Sequence, residues 1–487
     1  MTSRRTFLTG AAATAALAHS PATLLCEAAA NPSDLALAAD FSKPLATMPQ
    51  DFTGLSYESA QLGHPDFFSS SNRGLIALFR CLNPRGVLRI GGNTAEYTRW
   101  SSDDADAAKN DTPHAIGPDA GTAAKTASIL TPVAIRNLKD FITQAGEWRV
   151  IYGLNLWHGT PENAAAEAAY VFETLGPRLI CFQIGNEPDM DHDPGSKTRW
   201  TFDHYWERWP LTRDAVKKAV PGARFAGPDI AKEYDWITEM ADKHPDLEFL
   251  SGHYYAEGPP ADPKMTLEFL LKRGKDPASS EIEIVHAAVK ALGKPYRVTE
   301  GNSCFHGGKP MVSNTFASAL WSGDYMLQVA QAGYIGVNLH GGGNGLYTPI
   351  AGDTPLGFVA RPVFYGMMLA QQFAGSTFVE ASLSAQNNTQ NVTAFAAKNS
   401  SHGLKLAIFN KAAASVRINL KGLPDARHAR VWWLKAPAID SLDGVTFGGS
   451  RIGTDGAFHP RTEAQLKIVG GRGSLDLPGY TAAYIEA

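Results

Sequence analysis

Between about residues 50 and 340, short apolar runs alternate with longer stretches whose apolar positions recur at helical spacing. The runs are Phe52–Tyr57, Val87–Ile90, Val150–Leu156, Leu179–Ile184, Arg224–Gly227, Phe249–His253, Tyr296–Thr299 and Ile335–Leu339. Amphipathic stretches such as Ala134–Ala145, Pro161–Leu175, Tyr205–Ala219 and Ser279–Leu292 separate them. Parallel strands buried on both faces read as continuous apolar runs, and their alternation with helices marks βα units. Eight units predict an α/β fold, a closed (β/α)8 barrel over residues 51–374, with an open sheet as the alternative. The barrel is preferred because the chemically interesting residues fall at the C-terminal ends of the runs, where barrel active sites sit.

After about Thr377 the texture changes to short, alternating segments punctuated by Gly, Asn, Asp and Pro: Asn391–Ala397, Leu404–Asn410, Val416–Leu420, Ala429–Leu434, Gln465–Val469 and Ala482–Ile485. This predicts an antiparallel β-sandwich over 375–487. Leu35–Phe41 alternates too, so residues 31–50 are expected to supply a strand to that sandwich before the chain enters the barrel. Two insertions, 101–128 and 256–278, follow the second and sixth runs. They are expected to wall a pocket on the catalytic face. Trp432 and Trp433 do not distinguish a carbohydrate platform from core.

The N-terminal Ser3-Arg-Arg-Thr-Phe-Leu8 and the Ala-rich stretch behind it match a twin-arginine export signal, with an ordinary basic leader as the alternative. Residues 1–30 are therefore expected to lie outside the fold, and the protein to be periplasmic or extracellular. No later run approaches the roughly 18 apolar residues of a membrane span. Of 487 residues 19% are charged, for a net charge of −4, so no basic field points to nucleic acid or a membrane surface, or to a groove for long polyanions. Cys81, Cys181 and Cys304 remain beyond the signal, an odd set without disulfide or metal spacing. Cys181 reads as core; Cys304, four residues past Glu300, lacks an activating His in register.

Two glutamates organise the chemistry. Glu187 closes Leu179-Ile-Cys-Phe-Gln-Ile-Gly-Asn-Glu-Pro188, and Glu300 closes Pro295-Tyr-Arg-Val-Thr-Glu-Gly301. These are the ends of the fourth and seventh runs, which face each other across a barrel mouth. Paired carboxylates so placed are the equipment of a retaining glycosidase: Glu187 as acid/base and Glu300 as nucleophile, with Asn186 donating to the sugar 2-OH. The bland alternative is that Asn186 and Glu187 cap the next helix while Glu300 pairs with an arginine. Tyr254 or Tyr255 is expected to hydrogen-bond Glu300, the other being core. Trp157 and His158 are pocket candidates, and His158 has no second ligand at zinc spacing. Gly341-Gly-Gly-Asn-Gly345 lacks the Lys of a phosphate loop and reads as a turn. The chemistry calls for no metal or organic cofactor.

Gly185-Asn-Glu-Pro188 together with Glu300 resembles the large clan of barrel glycosidases that carry catalytic glutamates on strands four and seven. Leu55-Ser-Tyr-Glu-Ser59, Leu88-Arg-Ile-Gly-Gly-Asn93, His253-Tyr-Tyr255 and Glu300-Gly-Asn-Ser-Cys-Phe-His-Gly-Gly-Lys-Pro310 resemble one branch, glycoside hydrolase family 79. That resemblance implies an exo-acting β-glucuronidase acting on a glucuronide-bearing oligosaccharide or glycoside. It implies that the backbone amides of His306 and Gly307, with the Tyr347 phenol, bind the C6 carboxylate as an anion nest. Heparanase has a further Gly where this chain has His306. The resemblance also places Glu58 and Asn93 on the sugar's O3 and O4, and Tyr255 beside Glu300. The alternatives are a retaining barrel glycosidase for a neutral sugar (glucosidase, xylosidase or arabinofuranosidase), an endo-acting enzyme, and a non-catalytic carbohydrate-binding barrel.

Overall fold

The computed structural model describes residues 33–110, 128–193, 196–273, 279–341, 345–353, 357–385, 390–399, 403–424 and 428–487. The stretch read as an export signal, most of the 101–128 insertion and parts of 256–278 and Gly341–Gly345 lie outside these.

The eight runs form eight parallel strands closed into a barrel, each bonded to the next in chain order and the last to the first. In order they are Thr53–Glu58, Val87–Gly91, Arg149–Leu154, Leu179–Ile184, Phe225–Ile230, Leu250–Glu257, Tyr296–Cys304 and Gly336–His340. Every described strand residue except Arg149, Tyr255 and Glu257 is buried, which is why the sequence shows runs rather than alternation. The helices end where the local signals say. Thr160 caps Pro161–Leu175 by accepting the Asn163 N–H, Pro161 opens it, and Gly176 at φ 54° stops it.

The barrel axis is not filled by aliphatic layers alone. Arg89, Gln183, Asp229, Ser251, Arg297, Thr299 and Asn338 are all buried and joined by side-chain hydrogen bonds. Arg297 donates to Asn338 at 2.6 Å near the closed end, and the rest converge on Asp229 near the open one. Gly54 makes room for this packing: a Cβ there would stand 2.5 Å from the Val87 carbonyl and 2.6 Å from the Asn338 amide.

The second domain is one continuous ten-stranded sheet rather than two separate ones. It curls so that Leu37, Leu406, Ile418, Val431, Leu475 and Ile485, from strands far apart along it, share one apolar core. The N-terminal strand, Ser33–Thr47, joins this sheet as its alternation predicts. It pairs antiparallel with Thr377–Ala385, but parallel with Val416–Lys421, which corrects the all-antiparallel expectation. Thr446–Phe447 and Gly473–Leu477 are additional strands. Trp432 and Trp433 are both half-buried, and Trp432 lies against Tyr484.

Two buried helices, Phe316–Gln331 and Pro362–Gln371, lie between barrel and sheet. Gly366 lets them touch, since a Cβ there would lie 2.1 Å from the Ala319 carbonyl. An ion pair crosses the junction: Asp324 on the first helix and Lys411 after strand Leu404–Asn410, both fully buried. Among the described residues no helix is long and apolar enough to cross a membrane.

Candidate active site

The open end of the barrel collects the chemistry. Glu187, just past strand four, and Glu300, within strand seven, place carboxylate oxygens within 4.8 Å of one another and of a His253 ring nitrogen. Their surroundings differ. Glu300 is buried, accepting from Arg89 Nη1 at 2.6 Å on Oε2 and from the Tyr255 hydroxyl at 2.7 Å on Oε1, with His340 Nδ1 3.5 Å away. Burial pushes its pKa up, but His340, His253 and Arg89 together win and hold it at about 2. Glu187 is the more open of the two, its side chain 19% exposed against 7%. Burial, reinforced by the charges of Glu300 and Asp189, raises its pKa despite a 2.9 Å bond from His253 Nδ1 to Oε1. The two carboxyls are thus pushed apart, Glu187 toward holding its proton and Glu300 toward losing it.

Backbone conformation aims Glu187. It sits in the left-handed region at φ 47°, ψ 51°, which costs an L-residue roughly 1–2 kcal/mol. Its N–H donates to the carbonyl of Asp229, itself at φ 63°, so the ends of strands four and five hold each other in this geometry. The capping alternative is not realised, because the Glu187 side chain caps nothing. Asp189 also caps no helix; it accepts the N–H groups of Ala231, Lys232 and Glu233 in the bend after strand five. The second half of that alternative does hold: Glu300 pairs with an arginine. Arg89 serves the site as a whole, however, reaching Asn186 Oδ1 at 2.7 Å and Asp229 Oδ2 at 2.6 Å as well.

His253 links the two halves. Its Nε2 lies 3.2 Å from Asp229 Oδ1 while Nδ1 binds Glu187. Burial lowers its pKa, but the charges of Asp229 and Glu300 outweigh that and lift it to about 10. Glu187, His253 and Glu300 have ligand atoms at metal spacing, but each is engaged by neighbours here, His253 between Glu187 and Asp229 and Glu300 by Arg89 and Tyr255.

The other sequence candidates lie around this centre. Asn186 is buried and gives its Nδ2 to Asn93 Oδ1 at 3.1 Å, Asn93 itself being exposed. Glu58 is buried; Thr94 donates to Oε2 through N–H and hydroxyl, and His340 Nε2 is 3.2 Å from Oε1. Tyr255 is the tyrosine that meets Glu300, and Tyr254 is core, stacked on Tyr325 at 4.5 Å. His306 and Gly307 both have positive φ, 61° and 84°, in a turn whose Gly307 carbonyl accepts from Leu346 and Tyr347. Tyr347 is buried beside Tyr255 and His340. The amides of His306 and Gly307 meet no acceptor among the described residues, and the His306 side chain points to solvent. Cys304 is buried and its thiol is pushed up to about 12, chiefly by burial, which argues against a nucleophilic role. Trp157 and His158 stack at 4.2 Å, and Tyr97 and His192 extend the aromatic group.

Arg89, Asp229, His340 and Glu96 escape a reading from run ends alone. Glu96 is 2% exposed and its two oxygens accept the N–H groups of Asn186 at 2.7 Å, Leu156 at 2.9 Å and Trp157 at 2.7 Å. It ties the ends of strands three and four together, one residue before Glu187. Burial raises its pKa to about 7 against those three bonds. Glu96→Gln puts an NH2 against at least one of these donors and is expected to lower kcat by about one to two orders of magnitude through misplaced Glu187. Steady-state kinetics with KM nearly unchanged would bear this out; wild-type kcat would refute it.

No family model matches the chain. It is 24% identical to a β-glucuronidase of Neurospora crassa over 365 residues, 66% of this chain and 63% of that protein. It is also 24% identical to a β-glucuronidase of Aspergillus niger over 339 residues, 62% of this chain and 58% of that one. The matches thus span less than two thirds of either curated relative. Among solved structures, a 4-O-α-L-rhamnosyl-β-D-glucuronidase from Fusarium oxysporum superposes with a TM-score of 0.74 at 19% identity, covering 92% of this chain and 98% of that one. That likeness establishes the shared fold, barrel and sheet together.

Proposed function

We propose that the chain is a retaining, exo-acting β-glucuronidase of the family 79 type, exported by the twin-arginine route, that releases terminal β-D-glucuronate from an oligosaccharide or glycoside. The observation that carries the reaction type is the pair Glu187 and Glu300. Their oxygens lie within 4.8 Å, near the roughly 5–5.5 Å separation of double-displacement enzymes, and their pKa values are pushed in opposite directions. Support for the glucuronate comes from the two fungal relatives and from the turn at His306–Gly307 beside Tyr347.

The steps follow from the geometry. An ionised Glu300 oxygen attacks the anomeric carbon as the glycosidic C–O bond breaks, and the Glu187 proton goes to the departing oxygen. Glu187 Oε1 is taken by His253, so Oε2 presents that proton. Arg89 and Tyr255 hold Glu300 in place, and Asn186 keeps an amide hydrogen for the sugar 2-OH. Once Glu300 is esterified its charge is gone, the Glu187 pKa falls, and the carboxylate left by the first proton transfer stays ionised, as a general base must be. It then takes a proton from water, whose oxygen attacks the same carbon from the vacated face as the C1–O bond to Glu300 breaks, which frees the Glu300 carboxylate and restores the β configuration.

Loops pinned after strands two, six and seven, able to wall the barrel mouth, favour exo action. Asn110 ties the insertion after strand two to Gly63 and Ile129, and Lys309 Nζ donates to the Asp262 carbonyl across the loops after strands seven and six. The deciding experiment is hydrolysis of aryl β-D-glucuronide beside the β-D-glucoside, β-D-xyloside and α-L-arabinofuranoside. Strong preference for the glucuronide is expected. Activity confined to a neutral sugar would keep the glutamates and discard the carboxylate site.

A further inference from the structure

A cavity of about 650 Å3 opens between the barrel and the sheet domain. Its barrel wall is the end of the hairpin after strand eight and the start of helix Pro362–Gln371; its other wall is the 442–454 loop of the sheet domain. Two arginines line it, one from each domain: Arg361, half-buried, and Arg451, exposed. Among the described residues no carboxylate lies within ion-pair distance of either guanidinium. Asp443, exposed on the lining, is paired with neither. Arg361 makes one hydrogen bond, from Nη1 to the Leu346 carbonyl at 3.1 Å, and burial with no opposing charge lowers its pKa. A partly desolvated cation without a counter-ion is a cost that an incoming anion removes. Val359 and Leu442, 49% and 50% exposed, give the lining apolar flanks, beside the exposed Thr454 and Asp443. Apolar flanks with a guanidinium pair suit the C–H faces and carboxylate of an acidic sugar better than they suit a bare inorganic ion.

Arg361 is tied to the segment that carries Tyr347. Its guanidinium holds the Leu346 carbonyl and its N–H donates to the Pro349 carbonyl, so a residue of the cavity wall braces the 346–349 stretch beside the active site. We propose that this interdomain cleft is a second carbohydrate subsite, which binds the carboxylate of a uronate residue elsewhere on the glycan that enters the catalytic pocket. The inference rests on the glucuronidase reading for its ligand class.

The test is calorimetric binding, to Glu300→Gln protein that cannot turn over, of a tetrasaccharide alternating glucuronate with a neutral sugar. The same tetrasaccharide with its carboxyls reduced to alcohols is the control. Two carboxylate-dependent sites are expected. Arg451→Ser should weaken one of them by about tenfold or more, as loss of a charge-assisted contact implies, and leave the other and aryl glucuronide hydrolysis unchanged. Arg361→Met should abolish the same site. One site indifferent to both arginines would overturn the cleft and leave the glucuronidase reading standing. No binding at all would sink both. A second site equally filled by the reduced tetrasaccharide would overturn its anionic basis.

Discussion

Glu300→Gln is expected to cut aryl β-glucuronide turnover by about four orders of magnitude or more while the protein stays folded, since the substitution removes the attacking atom. Arg89 keeps Asp229 and Asn186 as partners, so the loss belongs to chemistry rather than to collapse of the site. Glu187→Ala should cost about two to four orders of magnitude on a poor leaving group and less on an activated aryl one that departs without a proton. Azide then separates the roles. With Glu187→Ala it should restore turnover and yield the β-glycosyl azide, because it attacks the glycosyl-enzyme without a base. With Glu300→Ala it should yield the α-azide by direct displacement. The reverse products would exchange the two assignments. Under the proposed mechanism, wild-type activity requires Glu300 ionised and Glu187 protonated. It should therefore persist on the acid side until Glu300 titrates near its value of about 2, and fall as pH rises through the raised pKa of Glu187. Glu187→Gln, which cannot titrate, should lose the alkaline fall.

The second large effect concerns the junction between domains. Lys411→Met leaves Asp324 fully buried with the Thr393 hydroxyl, 2.6 Å away, as its main remaining partner. Removing one member of a buried pair costs about 3–5 kcal/mol, whereas replacing both by apolar residues of similar size is about neutral. Chemical denaturation should show a large fall in midpoint for Lys411→Met and near-recovery in Asp324→Leu with Lys411→Met. Burial already raises the Asp324 pKa, so the single variant should also take up a proton there. A double variant as weak as the single would mean that the pair is not what locks the junction.

Much of this was legible in the sequence because burial on both faces leaves a plain mark. All eight barrel strands are apolar runs, and both glutamates stand where runs end. Tyr255 was narrowed to a pair, and the structure chose by orientation alone: alternate side chains of strand six face opposite ways, one to Glu300 and one to Tyr325. What stayed hidden depends on partners remote in the chain. Arg89 is a lone charge between Leu88 and Ile90, and its position in an otherwise apolar strand was the available signal that it faces the barrel axis. Asp229 lies beyond Pro228, where the run had seemed to stop, and Glu96 lies in a short turn with no periodicity. The parallel pairing of Ser33–Thr47 with Val416–Lys421 is fixed by the curl of the sheet, and alternation in one strand says nothing of its neighbour's direction.

That strand has a bearing on how the molecule comes to be. It lies inside the sheet, with Thr47 bonded to Thr377 across 330 positions, and its other neighbour comes later still. During synthesis the first segment of the fold must wait, unpaired, until the whole barrel has emerged. Contacts of such span are entropically late and slow to form. Until they form, Thr377–Ala385 and Val416–Lys421 are open edges, able to recruit a strand from another chain. The greatest risk of misassembly therefore falls after the barrel has formed, when the sheet domain has yet to take in its N-terminal strand.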